Sequence, residues 1–415
     1  MSMVYEAAAR TLQLLEAKRG SLKQLCFQLS QFARPVYALL IKLLSVKGQL
    51  DELMGKRWQG CQEREKALVM LYDYLTAGKI RSGGDMKREI VKRFADVPKL
   101  KQSKSPNQGL KWVRANPFVS STAELKAALD AVEDPDIPGL LRVSEARLRQ
   151  YQDSDKVIQQ DKASCLPVAA LNLRPGHWSA FDACSAPGNK TLQLAGRMLS
   201  LTSGSLFAFE RDSKRFAVLT KRLRQYSASN VTAIQQDFLS IHNLPADVRY
   251  GVVDPSCSGS GIAEHHLVDS GQLQYVTTNT SERVRRLAAF QRTVLRHALL
   301  LGDLQEVVYS TCSLYREENE EVVRDTLQSL GRFYRLQTAL PGWKRRGIDL
   351  EDFPAEKCVR TDPTLDNMTG FFVALFRRKM HRIRHRLLSQ RSLTFTMYRL
   401  KYHREVDNLQ SMYGT

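Results

Sequence analysis

Several features that would assign a chain to a simple class are missing from this 415-residue sequence. No run approaches the roughly 18 to 20 uncharged apolar residues of a membrane span. The first twenty residues carry Glu6 and Arg10 among apolar residues, which is typical of an amphipathic helix rather than a signal peptide. The seven cysteines form no CxxC pair and no group with histidine. We therefore expect no disulfide framework, no metal site and no membrane span, and a reducing intracellular compartment.

The composition that remains is that of a globular protein. Hydrophobic residues make up 43% and charged residues 25% of the chain, which is close to globular averages and argues against wholesale disorder. At roughly 150 residues per domain, the length corresponds to two or three domains. No internal repeat or low-complexity tract is evident in the sequence.

The net charge of +19 is concentrated in two segments. Residues 79–114 contain eleven Lys and Arg against three acids, and residues 377–404 contain ten Lys and Arg and no acid. Basic zones of this kind favour a polyanionic partner, most often nucleic acid. The alternative is a set of solvated faces combined with a nuclear address. An anionic membrane surface is disfavoured, because neither zone shows a strong apolar face.

The hydrophobic pattern divides the chain into five parts. Apolar residues at three- and four-residue spacing predict helices through most of the first hundred residues. A polar, basic stretch with Pro and Gly then predicts a linker, after which the pattern becomes mixed. We expect a helical module at 1–97, a linker at 98–110, a small α+β segment at 111–156, an α/β domain at 157–378 and a basic tail at 379–415.

Strand-like and helical runs alternate from about residue 157 onward. The strand-like runs are WSAFD, SLFAFE, NVTAI, YGVVD, QEVVYS and FFVALF. This alternation predicts an α/β fold with a doubly wound, mostly parallel sheet that helices cover on both faces. Ligands of such sheets bind outside the carboxyl ends of the strands.

The first of these strands ends in a loop suited to a close-lying ligand. The segment DACSAPGNKT at 182–191 consists largely of small residues with one glycine, which lets the backbone approach a ligand before the next helix begins. It is not the G-x-G-x-x-G fingerprint, so a dinucleotide is not the expected ligand. The second strand ends in Glu210, where an acid can accept hydrogen bonds from a ribose. Each feature also occurs widely in other α/β proteins.

Two further strands end in cysteine-containing loops. The strand YGVVD runs into DPSCSGSG with Cys257, and the strand EVVYS ends in STCS with Cys312. Most single cysteines are packed as small hydrophobic residues, but these two lie among serines and glycines at strand ends that face one crevice. The pattern therefore favours usable thiols, which react as thiolates.

In their order and spacing, DACSAPGNKT, DPSCSGSG and STCS resemble the Sun-domain family of RNA 5-methylcytosine methyltransferases. The resemblance covers about residues 108–378 and is strongest to the fifth member, the branch that modifies large-subunit ribosomal RNA. Supporting matches are DKASCLP at 161–167, FERDSKR at 209–215, QQDF at 235–238, EENEEVV at 317–323 and GFFVALF at 370–376. The resemblance implies a Rossmann-like fold, S-adenosylmethionine as cofactor, and an RNA-docking role for the segment 111–156.

The resemblance also implies a cofactor site. Glu210 would hold the ribose hydroxyls with Arg215 close by, Asp237 would approach the adenine, and Asp254 would lie near both cofactor and target base. The loop around the methionine part of the cofactor would consist of Cys184, Ser185, Ala186, Pro187, Gly188, Asn189 and Lys190.

The implied chemistry uses both cysteines. Carbon 5 of cytosine is a poor nucleophile, and attack of the Cys312 thiolate on carbon 6 would make carbon 5 enamine-like. Asp254 would steady the charge that the ring gains during attack. After methyl transfer, Cys257 would help to release the product, directly or through water, by removing the carbon-5 proton. The target base must be unstacked to reach a strand-end crevice, so single-stranded or loop RNA is expected.

The resemblance thus implies an RNA (cytosine-C5)-methyltransferase in the nucleus and nucleolus, acting as a monomer on large-subunit rRNA or pre-ribosomal particles. The alternatives are an inactive RNA-binding scaffold on the same fold, or the same chemistry on tRNA or small-subunit rRNA. The chain departs from the family pattern at three places. Ser185 stands where Ala is usual, Ser256 stands where Pro is common, and the stretch from Arg142 to Val157 is shorter than usual.

Overall fold

A computed structural model describes most of the chain, which forms two compact units. The described residues are 2–17, 22, 25–26, 32–44, 46–100, 109–151, 153–264, 280–363, 365–366 and 368–379. One unit comprises 1–108, 262–283 and 363–367, and the other comprises 109–261, 284–362 and 368–415. The predicted basic tail lies outside the described residues except for Lys379, as do residues 101–108 of the predicted linker.

The first unit is helical, as the apolar spacing predicted. Leu68, Leu71 and Leu75 are buried on its fourth helix, which ends where Gly78 adopts a left-handed conformation with φ 72°. Pro35 lies in the first turn of the second helix, where a missing N–H costs no hydrogen bond. The helices are α1 Ser2–Glu16, α2 Ala33–Leu44, α3 Lys47–Arg57, α4 Arg64–Ala77 and α5 Gly84–Phe94.

The second unit begins with a small antiparallel sheet in the order β2-β3-β1-β4. A capping box of Ser121 and Glu124 starts helix α6, in which the side chain of each residue accepts a hydrogen bond from the backbone N–H of the other. The elements are β1 Leu110–Ala115, α6 Thr122–Leu129, β2 Val132–Glu133, β3 Leu140–Ser144, α7 Glu145–Leu148 and β4 Val157–Gln159.

An eight-stranded sheet follows, covered by helices. Its order is β10-β12-β9-β8-β5-β6-β7, with β11 paired to β12. Its strands are β5 Ser179–Asp182, β6 Leu206–Phe209, β7 Val231–Ile234, β8 Val248–Val253, β9 Glu306–Thr311, β10 Tyr334–Gln337, β11 Val359–Thr361 and β12 Phe371–Arg378. Its helices are α8 Lys162–Ala170, α9 Asn189–Met198, α10 Ser213–Gln225, α11 Ser260–Glu264, α12 Thr280–Leu300 and α13 Glu320–Leu330.

The topology confirms a doubly wound α/β fold and fixes where a ligand can bind. Strands β7, β6, β5, β8 and β9 are parallel neighbours, whereas β10, β11 and β12 add an antiparallel edge. From β5 the chain first builds outward through β6 and β7, and it then returns to place β8 on the other side of β5. This reversal opens a crevice at the carboxyl ends of β5 and β8. None of the helices in the described ranges has the length and apolar character needed to cross a membrane.

Candidate active site

The two strand-end cysteines lie side by side. Strands β8 and β9 are parallel neighbours with Val253 opposite Tyr309, so the loops that follow them leave the sheet together. Cys257 and Cys312 are both partly buried, and their Sγ atoms are 3.1 Å apart. The structure thus brings together the two thiols, as expected from their places at strand ends.

The two thiols do not ionise equally. The pKa of Cys312 is lowered, first by the hydrogen bond from Cys257, while burial and the Asp254 carboxylate oppose this and the Lys190 ammonium supports it. The pKa of Cys257 is raised well above its ordinary value by the same hydrogen bond and by burial. A thiol that donates to a thiolate is the arrangement that satisfies both sulfurs. Cys312 is therefore the sulfur of the pair that is more readily present as a thiolate.

A partly buried ion pair of Asp254 and Lys190 lies at the fold's reversal point, and both charges act on the Cys312 thiol. Asp254, which follows β8, accepts a hydrogen bond from Ser310 Oγ at 2.6 Å through Oδ1. Its Oδ2 lies 2.7 Å from the Lys190 ammonium, which also donates to Ser164 Oγ at 3.2 Å. Burial is the largest influence on the pKa of Lys190 and lowers it, yet the pKa is raised because the charge and hydrogen bond of Asp254, together with the charges of Cys312 and Asp182, outweigh burial. The side chain of Lys190 thus lies at the carboxylate of Asp254, whereas its sequence motif led us to expect it in a loop around the cofactor.

The loop 183–188 is built around the buried carboxyl of Asp182. Thr191 Oγ1 donates to Asp182 Oδ2 at 2.8 Å, and the backbone N–H of Cys184 lies 3.3 Å from Oδ1. Burial raises the pKa of Asp182 to about 6. Ser185 Oγ donates to the Asp182 carbonyl at 2.9 Å, a bond that the alanine usual in the family cannot make. These contacts hold the loop in one shape between β5 and α9.

The end of this loop leaves backbone groups available at a helix terminus. Gly188 has φ 104°, a left-handed conformation that favours glycine, and no side chain caps helix α9 there. Ala186 is buried and Pro187 exposed, with a cis bond between them. Asn189 Oδ1 accepts a hydrogen bond from Arg222 NH2 at 2.5 Å. The first N–H groups of α9 can therefore serve a carboxylate.

Glu210 follows β6 with one carboxylate oxygen unsatisfied. Its side chain is 5% exposed, and Oε1 accepts the backbone N–H of Asp212 at 2.9 Å. Among the described residues no hydrogen-bond donor reaches Oε2, although Arg215 NH2 forms an ion pair with it at 3.3 Å. Arg215 also donates to the Ala186 carbonyl at 2.8 Å. A buried acceptor of this kind fits a ribose hydroxyl.

Asp237 lies at the same edge of the sheet, after β7. Its Oδ1 caps a short 3₁₀ turn by accepting the backbone N–H of Leu239 at 3.0 Å. Its Oδ2 forms an ion pair with Arg211 at 3.3 Å. Asp237 and Glu210 follow adjacent strands, as a cofactor that crosses the strand ends requires.

Four residues of the site were not assigned from sequence. Ser164 and Ser310 hold the Lys190–Asp254 pair, whereas Gln291 and Glu318 lie behind the cysteine loops. Ser164 and Glu318 belong to DKASCLP and EENEEVV, so the motifs marked them without indicating a role. Ser310 belongs to STCS in the same way, and Gln291 carried no distinctive signal. In the ranges that the structure describes, no group of three or more His, Cys, Asp or Glu could hold a metal ion.

The chain is similar to proteins of known family over most of its length. A family model described as 16S rRNA methyltransferase RsmB/F matches residues 168–377. A 28S rRNA (cytosine-C(5))-methyltransferase of Mus musculus is 34% identical, with 90% of this chain and 91% of that protein covered. A 25S rRNA (cytosine-C(5))-methyltransferase, rcm1, of Schizosaccharomyces pombe is 35% identical, with 89% and 90% covered.

A solved structure agrees on the fold. A methyltransferase homologue from Pyrococcus horikoshii has a TM-score of 0.54 and 21% identity, with 80% of this chain and 99% of that chain covered. The family model spans half of this chain, and the two curated relatives are matched over nine-tenths of their length. The expectation from the three loop motifs is therefore confirmed: the chain belongs to the RsmB/F, or Sun-domain, family of ribosomal RNA methyltransferases.

Proposed function

We propose that the protein is an S-adenosylmethionine-dependent RNA methyltransferase that modifies carbon 5 of cytosine in large-subunit ribosomal RNA. The observation that carries this proposal is the pair of sulfurs 3.1 Å apart at the ends of β8 and β9, beside the Asp254–Lys190 pair. Two thiols of opposite pKa shift supply a nucleophile and a separate proton-handling group. Large-subunit rRNA is the substrate named for both curated relatives.

The residues of the expected cofactor site suit the methyl donor. The unsatisfied Oε2 of Glu210 suits a ribose hydroxyl, Asp237 lies where an adenine would follow, and the uncapped start of α9 suits the donor's carboxylate. When bound there, S-adenosylmethionine supplies an electrophilic methyl group on a sulfonium. Cys184 is partly buried, and this burial raises the pKa of its thiol, so the thiol stays neutral beside the donor.

The residues of the chain account for the attack on the base. The Cys312 thiolate, stabilised by the Cys257 thiol, adds to carbon 6 of cytosine. Electron density then moves toward carbon 5 and onto the ring. Asp254 and Lys190, held 2.7 Å apart, offer an acceptor and a cation to the polar edge of the base. Both are fixed before the base arrives, so little reorganisation is needed during the reaction.

Formation of the covalent bond between Cys312 and cytosine makes Cys257 a better base for removing the carbon-5 proton. The pKa of Cys257 is raised chiefly by its hydrogen bond to Cys312 and by burial, with the charge of Cys312 contributing. Once Cys312 becomes a neutral thioether, the hydrogen bond to a thiolate and the repelling charge are both lost. The pKa of Cys257 then falls, its proton passes to solvent, and the thiolate can take the carbon-5 proton, directly or through water. The Cys312 thiolate leaves as the double bond re-forms.

Methyl transfer from labelled S-adenosylmethionine to RNA tests the proposal directly. We expect the purified chain to label large-subunit rRNA, and the label to be 5-methylcytosine. Mapping 5-methylcytosine across total RNA with and without the gene identifies the substrate. Loss of sites only in tRNA or small-subunit rRNA would move the activity to those RNAs. RNA binding without any transfer would support the inactive scaffold instead.

Replacement of Glu210 tests the cofactor site. Glu210→Ala should weaken S-adenosylmethionine binding by about one to three kcal/mol, because the hydrogen bonds to the ribose are charge-assisted. Glu210→Gln, which keeps one acceptor, should weaken it less. Calorimetry measures both. It should detect no binding of NADP, since an acid at the ribose repels a 2′-phosphate, and none of NAD, since the loop lacks the glycines that bind a pyrophosphate. Unchanged affinity in Glu210→Ala would remove this residue from the site.

The basic zone at 79–114 is proposed to grip RNA phosphates. Within the described residues, Arg88 pairs with Asp85 and Arg93 with Glu89, whereas Lys87 and Lys92 are exposed without an ion pair on α5. Lys87 and Lys92 are therefore expected to contribute most. The segment 111–156 is proposed to dock RNA as well. The tail at 379–415 is proposed to be a sequence-independent tether or a nuclear address.

Neutralising one basic zone and deleting the other distinguishes their functions. Neutralising Lys87, Arg88, Lys92 and Arg93 together should flatten the salt dependence of RNA binding and raise KM for RNA, because fewer counterions are released. Deleting 379–415 should reduce RNA affinity or nuclear retention but leave methyl transfer detectable. Filter binding across a salt series and initial rates measure both. If deletion of 379–415 abolishes catalysis and the four-residue neutralisation has no effect, the roles proposed for the two basic zones must be exchanged.

The cellular setting follows from the substrate. A large-subunit rRNA methyltransferase of a eukaryote meets its substrate in the nucleus and nucleolus, which we propose as the site of action, on free rRNA or on pre-ribosomal particles. We propose a monomer. Fluorescence microscopy of the tagged full-length chain and light scattering of the purified protein test these two proposals.

A further inference from the structure

A buried acid in the EENEEVV segment has no part in the chemistry described above. Glu318 lies just before α13, and its side chain is 0% exposed. In the described part of the chain it forms no ion pair with Lys or Arg. A buried carboxylate is stable only when hydrogen bonds replace its hydration, so the donors around Glu318 indicate what it holds in place.

Two of these donors come from the two cysteine loops. Oε1 accepts a hydrogen bond from the backbone N–H of Ser258 at 2.9 Å. Oε2 accepts one from the hydroxyl of Ser313 at 2.5 Å. Ser258 directly follows Cys257, and Ser313 directly follows Cys312. One carboxylate therefore binds both loops at the residue next to each sulfur.

The remaining contacts fix Glu318 to the scaffold. Gln291 Nε2, on α12, donates to Glu318 Oε1 at 2.8 Å and to the Ser256 carbonyl at 3.0 Å. Tyr309 OH, on β9, donates to the Glu318 carbonyl at 2.6 Å. All of these side chains are buried. The carboxylate is thus held by a helix and a central strand, which are rigid elements of the fold.

We infer that Glu318 is a positioning residue that keeps the Cys257 and Cys312 sulfurs in hydrogen-bond contact by holding their two loops together. The inference rests on the proposed function, because it concerns the sulfur pair that performs the reaction. The charge of Glu318 also favours the hydrogen bond from Cys257 to Cys312. After the hydrogen bond to Cys312 and burial, the Glu318 carboxylate also helps to raise the pKa of Cys257, so Cys257 stays the donor.

Glu318→Gln keeps the size of the side chain but removes the charge and replaces one acceptor oxygen by a donor NH2. If the NH2 faces Ser258 N–H and Gln291 Nε2, it opposes two donors. If it faces Ser313 Oγ, this hydroxyl must accept instead of donate, although it already accepts from Tyr315 N–H at 3.0 Å and from Ser258 Oγ at 3.1 Å. Either orientation weakens the hold on at least one of the two cysteine loops. Misplacing reacting groups by about 1 Å can cost on the order of 100-fold in rate. We expect kcat for methyl transfer to fall by about that factor, with KM for RNA and Kd for S-adenosylmethionine changed by less than about twofold.

Glu306→Gln is the matched control. Glu306 is also buried and lies at the opposite end of β9, where it accepts hydrogen bonds from Asn172 N–H at 2.8 Å and Asn172 Nδ2 at 3.2 Å. Its replacement removes a buried carboxylate from the same strand without touching the cysteine loops, so kcat should stay within about twofold of wild type while stability falls.

Ser313→Ala, which deletes one donor only, provides a milder variant if Glu318→Gln does not fold, and should lower kcat by about tenfold.

Thiol alkylation gives a second readout that needs neither RNA nor methyl donor. With iodoacetamide and peptide mapping, the wild-type chain should be alkylated at Cys312 in preference to Cys257. In Glu318→Gln and Ser313→Ala this preference should shrink, because the sulfurs separate and titrate independently, whereas in Glu306→Gln it should persist. If wild type transfers no methyl group, the proposed function fails and alkylation still decides the inference. Wild-type preference and wild-type kcat in both loop variants would overturn it.

Discussion

Cys312→Ala should abolish methyl transfer, whereas Cys257→Ala should accumulate RNA that is covalently bound to the protein. Cys312, whose pKa is lowered, is the proposed nucleophile, and Cys257, whose sulfur lies 3.1 Å away and has a raised pKa, is proposed to act after methyl transfer. Without Cys257, attack and methylation can proceed but the carbon-5 proton is not removed, so the adduct persists. A denaturing gel should show a protein–RNA species in the Cys257 variant with labelled RNA.

The trapping experiment has a control within the same chain. Cys184→Ala removes a partly buried thiol from the proposed cofactor loop and should trap no RNA, because Cys184 lies in the loop after β5 rather than beside Cys312. Calorimetry with S-adenosylmethionine should give nearly wild-type affinity for Cys312→Ala, since that sulfur is not part of the cofactor site. Trapping by the Cys312 variant and none by the Cys257 variant would reverse the two assignments.

The fold was predictable where local pattern and burial agree. All six predicted strands of the large sheet are present. Short apolar runs that alternate with helical segments are typical of the buried strands of a parallel sheet, so the pattern identified them. Strands β10 and β11 were missed. Val359–Thr361 has three residues, and Tyr334–Gln337 alternates two apolar with two polar side chains over only four. Such short runs form strands because β12 pairs with both, which is a tertiary effect that no local pattern reports.

The site was predictable to the level of motifs but not of contacts. Strand-end placement is enough to bring Cys257 and Cys312 into one crevice, since neighbouring parallel strands end together. The partner of Lys190 was not predictable, because its four-carbon side chain can reach either the cofactor loop or the next strand end. The packing of α9 determines which of the two the side chain reaches, and the ammonium lies at Asp254. The role of Glu318 was also not predictable from the sequence, because the function of a buried acid depends on which hydrogen-bond donors surround it.

Replacing Lys190 by methionine should lower the methylation rate at neutral pH by on the order of 100-fold, the usual effect of deleting one preorganised electrostatic group. The hydrogen bond from Cys257 is the main cause that lowers the pKa of Cys312, and the Lys190 ammonium adds to it, whereas burial and Asp254 oppose it. Without Lys190 the Asp254 carboxylate is left uncompensated beside Cys312. Both changes raise the pKa of Cys312, so less thiolate is present at neutral pH.

The sign of this effect can be read from a pH profile of single-turnover rates. In wild type the rate should rise with pH to a plateau whose midpoint lies below the ordinary thiol pKa of about 8.5. In Lys190→Met the midpoint should move upward, so that higher pH recovers part of the loss. The double variant Lys190→Met/Asp254→Asn removes both charges and should move the midpoint back toward wild type, although the rate stays low without the carboxylate. An unchanged midpoint together with weakened S-adenosylmethionine binding would instead place Lys190 in the cofactor loop, where its motif alone would put it.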